Sequence, residues 1–251
     1  IFHLRKPLLL LFILITIALA YSASHLRVGA GFTKMIPLKH EYMLTFLEYR
    51  NDFGGANKIL VALRARDGDI YTKEFMDTLR KVTEDVFYIK GVERSSVTSL
   101  FTANVRYTEV VEDGFRGGNI IAADFAGKPE QLKNVRDNVA KSDWGGRIVA
   151  IDGTAAMVVA TLQEKDPDTG ERLNLQEVAR KLEEIRQATE NKDVTVHIIG
   201  FAKAVGDIAA GAAGVIAFFG IAFVITAALL YWYSGSGMLA SYALICAVVP
   251  V

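Results

Sequence analysis

Two long stretches of this chain carry no formal charge, and they constrain its fold more than any other feature of the sequence. Residues 7–26 contain no Asp, Glu, Lys or Arg, and residues 208–251 contain none either. Of the 28 basic and 28 acidic residues, only Arg5 and Lys6 lie outside the segment from Arg27 to Asp207. A charge-rich middle between two apolar ends excludes an ordinary cytosolic enzyme, a disordered chain and a disulfide scaffold. The formal net charge of zero gives no bulk electrostatic reason to expect nucleic acid as a partner.

A helix crosses the roughly 30 Å hydrocarbon core with about 20 apolar residues. Residues 208–233 supply an uncharged run of Ala, Val, Ile, Phe and Leu, closed by Tyr231, Trp232 and Tyr233 as an interfacial aromatic belt. One charge at mid-bilayer would cost about 3 kcal/mol, so its absence throughout the run points to a membrane span. Gly206, Ala210 and Gly214 recur every fourth residue, a spacing that lets another helix approach closely. The first apolar stretch reads in two ways. It is a retained helix, or it is a secretory signal with Arg5 and Lys6 ahead of residues 8–17 and Ala18-Leu19-Ala20 as the cleavage site. Both send the middle across the membrane, because the positive end stays cytoplasmic. After Tyr233 come Ser234, Gly235, Ser236 and Gly237, and then a new apolar run from Met238. Four small residues suit a tight hairpin between membrane helices. The expected plan is a cytoplasmic N-terminus at 1–6, helices at 7–26 and 206–233, an extracytoplasmic domain at 27–205, a loop at 234–237 and a third helix starting at 238–251. A start at Ile1 and a stop inside that third run point to the N-terminal fragment of a longer, multi-pass protein.

The middle alternates between two periodicities. Pro37 opens a helix that Gly54-Gly55 closes, with Met43, Phe46, Leu47 and Phe53 as its apolar stripe. Ile59, Val61, Leu63 and Ala65 alternate along residues 58–66, which marks a strand. Thr72 caps a helix with Phe75, Leu79, Val82 and Val86 on one face, Gly91 ends it, and residues 92–100 form a second strand. The order then repeats. Residues 147–151 and 155–162 read as strand, Asn174 with Glu177 starts a helix carrying Leu175, Val178, Leu182 and Ile185, and Val194, Val196 and Ile198 alternate in the last strand. The fold class is thus an α+β membrane protein, in which transmembrane helices flank an extracytoplasmic domain of two ferredoxin-like β-α-β units, at about 56–100 and 146–201. Between the units lies a polar connection, 101–128, and a helix from Pro129 to about Lys141 carrying Leu132, Val135 and Val139. Gly114, Gly117 and Gly118 make this connection a candidate flexible loop, with a plain surface turn as the competing reading.

A search for chemistry returns little. His3, His25, His40 and His197 lack metal-ligand spacing, and Cys246, the single cysteine, sits in an apolar run. Asp166, Asp168 and Gly170 fall out of register with a calcium loop and suit a turn ahead of the Asn174 cap. Gly29-Ala30-Gly31 lacks the third glycine of a nucleotide fingerprint. Asp207 reads as an N-terminal helix cap. The expectation is a protein that is not an enzyme, with no cofactor and no metal.

Four segments carry a family resemblance: 46–63 (FLEYRNDFGGANKILVAL), 99–125 (SLFTANVRYTEVVEDGFRGGNIIAADF), 146–159 (GRIVAIDGTAAMVV) and 198–214 (IIGFAKAVGDIAAGAAG). With the order of parts, they make the chain resemble the N-terminal part of an RND (resistance–nodulation–division) superfamily transporter of the predicted-exporter, MMPL-like branch. The resemblance implies a multi-pass protein of the bacterial inner membrane. It would be a proton- or other ion-driven exporter of hydrophobic or amphiphilic molecules, lipids among them, in contact with membrane lipid and able to form a homo-oligomer. Proton-carrying acidic residues belong to a later helix in such transporters, beyond residue 251. The extracytoplasmic domain would be the porter domain, with Phe101, Tyr107, Phe115 and Phe125 lining or covering the substrate path. Two other functions fit the same plan, a SecD-like protein-translocation subunit and a membrane sensor with an extracytoplasmic ligand-binding domain. A sensor should follow its second helix with a charged linker, whereas here an apolar run resumes.

Overall fold

The computed structural model of the chain describes residues 5–24, 40–53 and 57–248. Pro37, Gly54-Gly55, Gly29-Ala30-Gly31, His3 and His25, which figure in the sequence reading, lie outside them. Two compact units emerge, residues 36–210 and a second one made of 1–35 with 211–251.

In the first unit, helix α2 (Glu41–Phe53) precedes strand β1 (Lys58–Ala65), helix α3 (Lys73–Phe87) and strand β2 (Val92–Thr98). An insertion follows, containing strands β3 (Arg106–Val111) and β4 (Gly114–Asn119) and helix α4 (Pro129–Ala140). Strand β5 (Ala155–Leu162), helix α5 (Leu175–Thr189) and strand β6 (Val194–Gly200) complete the second half. The four long strands form one sheet in the order β2-β5-β1-β6, and every neighbouring pair is antiparallel. Each β-α-β half therefore has its two strands parted by a strand of the other half, which is the split β-α-β arrangement. The two β-α-β halves expected from the sequence are thus halves of one sheet. Neither half owns a complete sheet, so the two close a single one, and their helices share one core.

The core follows the alternation of the strands. Ile59, Val61 and Leu63 are fully buried on β1, facing Ala156, Val158 and Ala160 of β5 and Val194 and Val196 of β6 on the same side of the sheet. Helix α3 places Phe75, Leu79, Val82 and Val86 in that core, and α5 places Val178, Leu182 and Ile185 there. Both helices start as their caps dictate. The Thr72 hydroxyl accepts from the Phe75 amide at 3.2 Å, and the Asn174 side chain accepts from the amides of Gln176 and Glu177 at 3.2 and 3.3 Å.

Two sequence expectations change here. Residues 147–151 form turns rather than a strand. Ile148 and Val149 are nonetheless buried, because the turn from Trp144 folds them into the core, and Val149 bridges Ala156 as an isolated pair. The connection 101–128 is not irregular either. Strands β3 and β4 pair antiparallel from Arg106↔Asn119 to Val111↔Gly114, joined by Glu112 and Asp113. Gly114, Gly117 and Gly118 are thus residues of the ribbon, not of a loop.

In the second unit lie helix α1 (Arg5–Ser24) and most of helix α6 (Phe201–Ser234), followed by helix α7 (Gly237–Val248). The 34 residues of α6 span about 51 Å at 1.5 Å per residue. Among the described residues it is the one helix long and apolar enough to cross a membrane, and none of its most apolar window is buried. A core helix of a water-soluble domain would bury at least one stripe. Shorter apolar stretches occupy Leu10–Leu19 and Gly237–Cys246. The break between α6 and α7 is two residues, Gly235 and Ser236, inside the expected loop 234–237.

Candidate functional site

The last strand enters the long helix without a linker. Gly200 ends β6 and Phe201 begins α6. The joint is tight as well as short. Gly200 adopts φ +143, and a Cβ there would stand 2.5 Å from the Lys58 carbonyl oxygen, so only glycine fits. One turn on, Ala202 and Val205 are buried in the first unit. Gly206 meets α5 so closely that a Cβ would come within 2.3 Å of the Ala179 methyl. Of the expected small-residue seam, then, Gly206 does admit a neighbouring helix, but the neighbour is α5. Gly214 has open space around it, and Ala210 borders a surface cleft between α5 and α6.

Charges lock the same joint. Lys203 donates to Asp207 at 2.6 Å and to Glu183 at 3.3 Å. Glu183 also accepts from Arg186, through Nε at 3.0 Å and Nη2 at 2.5 Å, and from Gln187 at 3.1 Å. Arg186 reaches Glu190 at 2.5 Å, and Arg66, at the end of β1, stands 3.6 Å from Glu190. The Arg186 guanidinium, with Gln187 and Lys203, holds the Glu183 carboxyl down at about 2, against the opposing effect of burial. Lys203 and Asp207 form an ion pair one turn apart on α6. Asp207 is therefore an ion-pair partner in the second turn of α6 and not its cap, because the helix begins at Phe201, five residues before the expected start at 206.

The four aromatic residues of the expected substrate path do not converge. Phe101 and Phe125 do meet, with ring centroids 6.0 Å apart and edge to face. Tyr107 lies on β3, opposite Gly118, and packs on the core. Phe115 is 82% exposed beside Val110 near the ribbon tip. The ribbon itself is held to the body by Lys141 with Glu109 at 2.7 Å, which lowers the Glu109 carboxyl, and by the Trp144 indole donating to the Arg106 carbonyl at 3.0 Å.

Phe101 and Phe125 border a cleft of about 760 Å3 between α3, the end of β2 and the insertion. Sequence reasoning missed its third wall. Arg80 of α3 lies over both rings, at 5.0 and 5.6 Å, and donates to the Phe125 carbonyl at 3.2 Å. Beneath them, a buried pair, Thr83 and Ser99, share a hydrogen bond of 2.8 Å that ties α3 to the start of the insertion. Asn104 donates to the Val97 carbonyl at 3.1 Å and steadies the same edge. The cleft sets apolar residues, Val97, Phe101, Ile121 and Phe125 among them, beside polar and charged ones such as Arg80, Glu84 and Arg94, a lining that suits an amphiphilic ligand.

Among the described residues no group of three or more His, Cys, Asp or Glu side chains is gathered. Asp166 accepts from the amides of Asp168 and Thr169, and Lys90 joins both carboxylates at 2.8 and 3.1 Å, which is the turn expected ahead of Asn174.

Fold and joint together define an α+β domain built directly onto a helix of membrane-spanning length. No protein-family model matches the chain. It is similar to a protein of Methanocaldococcus jannaschii that carries the name "Putative membrane protein MJ1562", 26% identical over 104 residues, which cover 38% of this chain and 26% of that protein. The match thus spans about a quarter of the relative's length. That similarity and helix α6 both associate the chain with a membrane.

Proposed function

We propose that the chain is the N-terminal part of an RND-type, MMPL-like secondary exporter that moves hydrophobic or amphiphilic molecules, lipids among them, across the cytoplasmic membrane at the expense of an ion gradient. On this reading α1, α6 and α7 are its first three membrane spans, the α+β domain is an extracytoplasmic porter domain, and the protein performs no covalent chemistry. The observation that carries the proposal is the joint at Gly200-Phe201. A sheet strand that becomes a membrane helix without a linker, clamped by Lys203, Asp207 and Glu183, passes any tilt of the helix to the domain as a rigid-body movement. The Phe101–Phe125 cleft gives that movement an apolar space to open and close.

The test decouples the two parts. Four residues, Gly-Ser-Gly-Ser, are inserted between Gly200 and Phe201 in the full-length protein, and efflux of the lipophilic dye Nile red from energised cells is followed. The proposal expects efflux to be lost while the protein remains in the membrane fraction at unchanged abundance. Unchanged efflux refutes the coupling. A companion variant, Phe115→Asp, changes an exposed ring and leaves folding intact. Phe125→Asp would bury a charge at a residue only 8% exposed and would report on folding instead.

A further inference from the structure

The cleft beside α3 holds a second guanidinium. Arg94 of β2 lies over the rings of Phe87 and Tyr88, at 5.6 and 5.9 Å, and lines the same space as Arg80. Elsewhere in the domain, Arg66, Arg116, Arg136 and Arg186 each pair with a carboxylate, while Arg64, Arg106, Arg147, Arg172 and Arg180 join no ion pair among the described residues. Among the described residues Arg80 and Arg94 have no ion-pair partner, although Glu84 lies one turn beyond Arg80 on the same helix and borders the cleft. Two cations and one carboxylate therefore face a space whose other walls include Val97, Ile121 and Phe125. A guanidinium lying over an aromatic ring is held in place and partly desolvated by it, while its N–H edge remains free to donate to an anion in a bidentate manner. Arg94 is exposed and Arg80 half-buried, so both are hydrated when the cleft is empty, and an anion joining them would exchange that water for charge-assisted hydrogen bonds.

We infer that this cleft binds a single-chain amphiphile with an anionic head, the head held between Arg80 and Arg94 and the chain lying along Val97, Phe101, Ile121 and Phe125. As a statement of which molecules are exported, the inference rests on the transporter reading. As a statement of binding, it stands by itself. Carboxylate and phosphate heads share the recognised chemistry, and fixed polar groups at Ser95 and Asn119 border the same space.

The experiment uses the whole chain in phosphatidylcholine nanodiscs and the fluorescent fatty acid 11-(dansylamino)undecanoate. Saturable binding is expected, displaced by decanoate and by decyl phosphate but not by decyl maltoside or decyltrimethylammonium. The relative potency of the first two identifies the preferred head. Arg94→Gln, at an exposed residue whose loss spares the fold, should weaken binding roughly tenfold, the effect of one charge-assisted hydrogen bond. Arg80→Gln should weaken it at least as much, and Arg94→Lys should recover part of the loss. Displacement by the maltoside as effective as by decanoate, or affinity unchanged in both Gln variants, overturns the inference. Anion-selective binding to a full-length protein that exports no amphiphile would uphold the cleft and remove the transporter. Export of neutral amphiphiles without anion-selective binding would do the reverse.

Discussion

Replacing Glu183 with Gln keeps the shape of the side chain and removes the charge that holds Lys203 and Arg186. The structure sets the magnitude. Folding lowers the Glu183 carboxyl from 4.5 to about 2, which corresponds to about 3 kcal/mol at 1.36 kcal/mol per tenfold change in proton affinity. Solvent reaches 29% of that side chain, and screening reduces the expected loss to about 1–2 kcal/mol at neutral pH. The pH dependence has a definite sign. Because folding depresses this carboxyl, its contribution is complete above about pH 4.5 and disappears as the pH falls through the folded value near 2. The gap between the wild type and E183Q should therefore be constant from about pH 7 to pH 5, shrink to roughly half near pH 3, and continue to close. The assay is urea unfolding of the whole chain in detergent, followed by Trp144 fluorescence in a Trp232→Phe background so that the signal reports the α+β domain. Equal stability at neutral pH would refute the clamp, and so would a gap that stays constant down to pH 3.

Gly206→Ala would place its methyl 2.3 Å from that of Ala179 on α5, and the loss expected in the same unfolding assay is about 1–3 kcal/mol. Ala179→Gly in that background should restore most of it, and failure of the rescue would show that the cost arises elsewhere. Ser99→Ala removes the buried partner of the Thr83 hydroxyl and should cost about 1–2 kcal/mol. A neutral result there would mean that Thr83, which also donates to the Leu79 carbonyl at 2.7 Å, is satisfied by its own helix.

Local signals carried the elements and long-range pairing decided the fold. Ile59, Val61 and Leu63 announce β1, and the Thr72 and Asn174 caps announce α3 and α5, because each pattern is complete within one turn or one strand. That β5 inserts between β1 and β2 has no local signature, so the repeated strand–helix–strand order indicates two halves without giving the strand order that joins them. The ribbon was legible in part. Asp113-Gly114 between alternating residues is a hairpin signal, but the three glycines and the exposed positions of β4 concealed the strand. Phe101 and Phe125 were singled out as aromatic residues in a polar connection, and the structure joins them. Arg80 escaped notice because a lone arginine beside the stripe formed by Phe75, Leu79 and Val82 reads as solvated helix surface. Asp207 was misread for a similar reason. Its helix begins at Phe201, in a stretch whose first turn looks like the continuation of strand β6.

The account depends on α6 crossing a bilayer with the α+β domain on the outer side and the α6–α7 turn on the inner. In a Cys246→Ser background, single cysteines at Lys192, exposed between α5 and β6, and at Ser236, in the turn, are exposed to a membrane-impermeant maleimide in intact cells. Labelling at position 192 without permeabilisation, and at position 236 only after it, is the predicted result. Equal labelling of the two positions before permeabilisation, or recovery of the chain in the aqueous fraction without detergent, would contradict it.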